Sequence, residues 1–289
     1  MKFGTLGLVV APLVLTACHS PPPVAVAPPT VLPAQGIDLP TDASDALNEI
    51  RDSKIDFVAR YYRNPTSRWP ALTAGEAQRL SSLGVKIVTV WEWHSHDPGY
   101  FSYRSGYEDA RSAYAQAKAI GQPPGSAIYF AVDYNAPSAD IDGSITQYFH
   151  GVAAGLAASG GGTSEYRVGV YGSGAVCDVI KRSRLAQYAW LTSATAWSGT
   201  LDYNDWNIRQ GGHFSVLSFD HDSDEAQGDY GGFQIAGVAP VPGNAPAPSD
   251  VSTPYDTTAS RDVIPPPAPP EGPAPVEGQW RTTRKMSSL

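Results

Sequence analysis

The sequence predicts an α/β fold, a (β/α)8 TIM-type barrel on the small side. It is expected to be degenerate near strands six to eight and flanked by disordered Pro-rich tails. Three observations predict it. Eight strand-like runs alternate with helix-like segments over about 190 residues, and repeated strand–helix units form a parallel sheet with helices outside. The early runs are near-continuous Val, Ile, Phe and Tyr, as in strands buried on both faces. The connections after the sixth and seventh runs are too short for full helices, which puts the irregularity at the end of the barrel. An open doubly wound sheet is the alternative, but no Gly-rich phosphate loop follows the first strand to favour it.

Residues 1–18 have the layout of a secretory signal. Lys2 precedes an apolar stretch from Leu6 to Leu15, and Leu15-Thr16-Ala17-Cys18 looks like a bacterial lipobox. The stretch is shorter than the roughly 20 residues of a membrane span. Cys18 is therefore the expected lipidation site, and an exported, membrane-anchored lipoprotein of the bacterial envelope the expected destination. The chain has two cysteines. With Cys18 lipidated, Cys177 has no partner, so no intrachain disulfide is expected and Cys177 reads as a small buried hydrophobe. Residues 19–34 are Pro-rich and form a semi-rigid tether, on the order of 40 Å long at about 3 Å per residue.

The barrel is expected over residues 35–236. Its strands are read at 36–38 ("GID"), 55–62 ("IDFVARYY"), 86–93 ("KIVTVWEW"), 127–133 ("AIYFAVD"), 166–172 ("YRVGVYG"), 187–193 ("QYAWLTS"), 205–210 ("DWNIRQ") and 214–222 ("FSVLSFDHD"). A capping box at Thr73-Ala74-Gly75-Glu76 opens a helix that stops near Gly84. Another at Ser105-Gly106-Tyr107-Glu108 opens a helix with Ala110, Ala113, Tyr114, Ala117 and Ile120 on one face. A long Ala-rich helix follows Pro137 and ends at Gly160-Gly161-Gly162. Residues 237–289 are a second Pro-rich segment, expected to be disordered or extended along a partner.

Four strands close on a carboxylate: Asp38 on the first, Glu92 on the third, Asp133 on the fourth, and Asp220 or Asp222 on the eighth. In a barrel all carboxyl ends open on one face, where catalytic groups sit. Carboxyls gathered at a partly desolvated mouth raise one another's pKa, so one stays protonated while another is ionised. That division of labour serves glycosidic cleavage. As isolated residues, each would read equally as a helix cap or a solvated loop residue.

The pieces "GID" (36–38), "DFVARYY" (56–62), "LTAGEAQRLSSLGVKIVTVWE" (72–92), "GYEDARSAYAQAKAIGQPPGSAIYFAVDYN" (106–135), "RVGVYGSGAV" (167–176), "ATAWSG" (194–199), "IRQ" (208–210) and "DSDEAQGDYGGF" (222–233) together resemble a family. It is that of secreted bacterial glycoside-hydrolase-like barrel domains, distant relatives of the Chalaropsis-type lysozymes of glycoside hydrolase family 25. The resemblance implies a TIM-type barrel with an acidic site of Asp38, Glu92, Asp133 and Asp222. The lysozyme relatives carry Asp-x-Glu after strand four, with the Glu as proton donor. Here that position is Asn135, which has no acid proton, and Glu92 is the expected substitute. On this reading Glu92 is the general acid and Asp133 the nucleophile or base, with Asp38 and Asp222 tuning charge and binding hydroxyls.

Other residues are candidate substrate contacts. Arg60 sits among these acids in sequence and is suited to orient a carboxylate or to pair structurally. Trp91 and Trp197 are aromatic faces for stacking on sugar, although alternation turns at least one of Trp91 and Trp93 outward. Tyr62, Tyr134 and Tyr171 are candidate hydroxyl partners, and Asn135 and Gln210 candidate amide contacts. A net charge of −8 with no dense Lys/Arg cluster argues against nucleic acid. "HSH" (94–96) lacks a third ligand at useful spacing, so neither a metal nor a cofactor is expected. "DHDSDE" (220–225) has Glu225 where a calcium loop needs Gly, and "GVYGSG" (169–174) has no Asp and His partners for a serine hydrolase. The expected partners are a cell-wall or surface glycan and, through Cys18, a membrane. Three functions follow: an envelope glycosidase, an inactive glycan-binding barrel, or a structural lipoprotein whose Pro-rich tail docks partners.

Overall fold

The computed structural model describes residues 32–211 and 217–238. Residues 1–31 and 239–289 lie outside it, and with them Cys18, the signal layout and almost all of both Pro-rich segments. Eight strands close into one barrel in chain order. They are β1 (Ala34–Asp38), β2 (Phe57–Tyr62), β3 (Lys86–Trp91), β4 (Ala127–Ala131), β5 (Arg167–Gly172), β6 (Tyr188–Leu191), β7 (Ile208–Gln210) and β8 (Asp222–Ala226). The first seven run parallel to one another. β8 runs antiparallel to both β7 and β1, with Ala226 opposite Ala34 and Asp222 opposite Asp38. The degeneracy therefore falls where the sequence places it. The eighth strand itself is corrected: it starts at Asp222 instead of ending there. A reversed strand begins at the rim where its parallel neighbours end, so Asp222 still reaches the mouth.

The helices are α1 (Leu47–Asp52), α2 (Ala74–Ser82), α3 (Tyr103–Ile120), α4 (Ser138–Asp140), α5 (Thr146–Ser159) and α6 (Gly174–Arg182), with a π-helical turn, Ile141–Ile145, joining α4 to α5. Thr73 caps α2 by accepting from the Glu76 backbone N–H, as its sequence predicts. α3 starts three residues earlier than expected, because Ser102 and Ser105 form the capping box. Ala110, Ala113, Ala117 and Ile120 are buried along α3.

Strand alternation splits the apolar residues into two populations. Val58, Tyr62, Ile87, Trp91, Ile128 and Phe130 belong to the layer shared with the helices. Phe57, Ala59, Val88, Tyr129, Tyr188 and Trp190 belong to the barrel interior. Glycines make room for two of the interior rings. A Cβ on Gly36 would lie 2.3 Å from the Phe57 ring, and one on Gly169 2.3 Å from Tyr129. Tyr230 packs on Phe57 at 5.1 Å and its carbonyl accepts from Tyr129 Oη. This aromatic plug fills the amino end of the barrel, and a cavity lies at the carboxyl end. Cys177 is buried, as expected of a small hydrophobe, and is free among the described residues.

Arg60 is not at the mouth. Its parity is that of Val58 and Tyr62, and its guanidinium lies fully buried against Glu76 on α2. Nε donates at 2.5 Å, Nη2 at 3.2 Å, and Nη1 donates to the Leu39 carbonyl at 2.9 Å. Glu76 also accepts from the Ala43 backbone N–H. The pair fastens α2 to β2 and to the segment after β1. Removing one partner strands a buried charge, at a cost of about 3–5 kcal/mol. Arg60→Met is therefore expected to lower unfolding stability by that order in urea denaturation. An Arg60 that served only as a ligand contact would leave stability unchanged.

Candidate active site

Eight strand ends supply the mouth. Asp38, Tyr61, Glu92, Asp133, Tyr171, Trp190, Gln210 and Asp222 line a cavity of about 290 Å³, with Val90 and Ala131 beneath. Each is one or more steps of two from an interior residue on its own strand: Tyr61 from Ala59, Glu92 from Val90, Asp133 from Ala131, Asp222 from Ala226. The pleat alone points them inward.

Asp38 is 3 % exposed. Tyr61 Oη donates to its Oδ1 at 2.7 Å, and Gln210 Nε2 donates to its Oδ2 at 3.1 Å. Gln210 Nε2 also reaches Asp222 Oδ2 at 3.4 Å. Burial first, then the Asp222 charge, push Asp38 up to about 7 against the pull of these donors. The Arg63 guanidinium lies 4.0 Å over the Tyr61 ring and donates to Glu92 at 3.2 Å. Ser95 Oγ donates to the other Glu92 oxygen at 3.2 Å. Asp133 is held by its backbone, whose N–H donates to the Ser95 carbonyl at 2.8 Å. Burial, then the charges of Glu92 and Asp222, push its carboxyl up to about 7. Burial and the Asp220 charge raise Asp222 as well. Tyr171 Oη lies 3.2 Å from Thr192 Oγ1 and 3.3 Å from Gln210 Oε1. The mouth thus holds two carboxyls that keep a proton near neutral pH beside a carboxylate paired with arginine. Such a set can donate and accept protons and bind hydroxyl groups.

Of the residues singled out in sequence, Asp38, Glu92, Asp133, Asp222, Tyr171 and Gln210 meet here. The others do not line the cavity. Tyr62 faces outward and its hydroxyl donates to Gln122 at 2.6 Å. Trp91 has the same outward parity and is 1 % exposed in the helix-facing layer. Tyr134 packs 5.8 Å from Phe101 and donates to Asp140. Asn135 Oδ1 accepts from the Ser198 backbone N–H at 2.9 Å, tying the loop after β4 to the loop after β6. Trp197 is half-buried in that second loop, where its backbone N–H donates to the Ala194 carbonyl. Tyr61, Arg63, Trp190 and Asp224 belong to the site or its support and were not singled out. Counting by twos from Ala59 and Ala189 would have marked Tyr61 as inward and Trp190 as opposite in parity to Ala189.

A family model described as "Rv2525c-like, glycoside hydrolase-like domain" matches residues 48–237. Among solved structures, the Tat-secreted Mycobacterium tuberculosis protein Rv2525c, in complex with HEPES, superposes with a TM-score of 0.56 at 21 % identity, over 69 % of this chain and 98 % of that one. At that identity the likeness is one of fold. The Bacillus subtilis protein FadG is 29 % identical over 163 residues, 55 % of this chain and 28 % of its own. A second, YbfG, is 30 % identical over 137 residues, 45 % of this chain and 19 % of its own. The matches thus span less than a third of either Bacillus protein.

The raised carboxyls leave a mark on stability. Asp109, which accepts from Tyr100 and Tyr148 between α3 and α5, is pushed by burial up to about 7, like Asp38 and Asp133. Between about pH 4 and 7 the folded chain holds protons that these groups release when unfolded. Their contribution favours folding at low pH and is lost as pH rises through 7. Asp133→Asn is expected to flatten this dependence and to gain on the order of 2 kcal/mol over the wild type at pH 8. Urea denaturation of both proteins across that range checks it.

Proposed function

This chain belongs to the Rv2525c-like, glycoside hydrolase-like domain family, and from that premise we propose that its barrel binds an envelope glycan in the acid-lined mouth. One observation carries the choice of binding over cleavage. The position that holds the proton donor in the lysozyme relatives is Asn135, whose amide oxygen is used on Ser198 outside the cavity. The remaining groups suit a polyhydroxylated ring. Asp38 and Asp222 are hydrogen-bond acceptors set by Gln210, and Tyr61, Tyr171 and Trp190 add aromatic wall.

A second reading, hydrolysis, is favoured by Asp133. Its carboxyl is pushed up to about 7 beside Glu92, and Glu92 is paired with Arg63. The roles expected from sequence would then be exchanged. Asp133 would give its proton to the leaving oxygen, while Glu92 attacks the anomeric carbon or activates water. Export accords with the Tat-secreted relative and with the signal layout ending at Cys18, which would hold the barrel to the membrane by a lipid.

The test incubates the purified protein with peptidoglycan and with other surface glycans, measuring both binding and soluble reducing ends. The expected result is binding in the millimolar to micromolar range without release, weakened about tenfold, or 1.4 kcal/mol, in Asp38→Asn. Release that disappears in both Glu92→Gln and Asp133→Asn establishes hydrolysis instead. Neither binding nor release overturns both readings.

A further inference from the structure

Asp224 lies on β8 between the rim residue Asp222 and the interior residue Ala226. Its backbone stands opposite Gly36 of β1 and Gln210 of β7. It is wholly buried. Trp190 Nε1 donates to Oδ1 at 2.9 Å. Oδ2 is buried as well and receives no donor. As a carboxylate, Asp224 would carry an uncompensated oxygen in the most enclosed part of the site, a costly arrangement. As a neutral acid it has no such defect, because Oδ2 then bears a hydrogen and becomes a donor. On β1 Asp38 stands opposite Asp222, two residues along from the Gly36 that faces Asp224, so it is the inward-facing acceptor diagonal to Asp224.

We propose that Asp224 is a positioning residue that stays neutral and donates its Oδ2 hydrogen to Asp38. Tyr61, Gln210 and Asp224, from three different strands, then converge on one carboxylate and fix its plane. Above about pH 7, where Asp38 gives up its own proton, it becomes the oriented anionic acceptor of the cavity, while Asp224 keeps its proton. Burial, followed by the Asp38 charge, holds the Asp224 carboxyl well above the usual range, in keeping with that order. The other titratable groups around the pair are Tyr61 on β2, Glu92 after β3, Asp133 after β4, Tyr171 on β5 and Asp222 on β8. Arg63, the cation that reaches Glu92, is engaged there. What Asp38 then accepts, a hydroxyl of a neutral sugar, rests on the glycan-binding reading. The protonation of Asp224 does not, and its test contains no glycan.

The whole chain is examined by infrared spectroscopy and carboxyl carbon NMR, as wild type, Asp224→Asn and Asp224→Leu. At about pH 8.5 the groups that titrate near 7 are mostly ionised. A protonated-carboxyl band is expected to persist in the wild type and to be absent from Asp224→Asn. The asparagine amide can still donate to Asp38, so the Asp38 titration midpoint is expected to hold there. In Asp224→Leu, which removes the donor, it is expected to rise by about one pH unit, a tenfold change in proton affinity. No protonated carboxyl in the wild type at that pH, or an unmoved Asp38 midpoint in Asp224→Leu, overturns the proposal. Should the leucine variant fail to fold, the band in the wild type and its loss in Asp224→Asn decide alone. An Asp224 that were ionised and purely structural would give no such band.

Discussion

The inside of an eight-stranded barrel is just wide enough for side chains to fill, and each strand contributes only every second residue to it. That limit governs everything else in this molecule. The amino half of the interior is taken by Phe57, Tyr129, Tyr188 and Tyr230, two of whose rings stand where neighbouring glycines leave room. With that half closed, polar groups have only the carboxyl end to occupy. Seven of the eight mouth residues extend inward-facing rows whose lower members are apolar or Gly. The same pleat that builds the plug also builds the site.

Crowding carboxyls into so small a volume is unfavourable, and the surroundings answer it in two different ways. Around Glu92 the answer is charge: Arg63, seated on the Tyr61 ring, lies against it. Around Asp38 the answer is neutral donors, Tyr61 and Gln210, together with a carboxyl raised by burial. Burial first, and then the neighbouring carboxylate charges, outweigh what hydrogen bonds return, which is why Asp38 and Asp133 keep a proton near neutral pH. The division is spatial, with a paired, charged side at β3 and a proton-holding side at β1 and β4.

Much of this was legible in the residues. Asp38, Glu92 and Asp133 declare themselves because a carboxylate at the end of an apolar run has few reasons to be there, and the barrel supplies one. Arg60, Tyr62 and Trp91 misled because their chemistry suits a binding site while their parity does not. Tyr61 and Trp190 were overlooked for the converse reason. The direction of β8 was hidden by the apolar segment before it, which reads as a strand, while "DSDEA" reads as a loop. One physical signal did point the right way. Parallel neighbours need a crossover of a dozen or more residues, usually a helix, and the link from Gln210 to Asp222 is too short for one. Asp224 shows no signal in the sequence, since its burial comes from both neighbouring strands at once.

The pairing of Ala34 with Ala226 fixes where the two ends of the barrel's chain emerge. The polypeptide enters β1 and leaves β8 side by side, on the plugged face. At Ala34 and Ala226 the chain thus stands at the end of the barrel opposite the acid-lined mouth, whose opening neither end crosses.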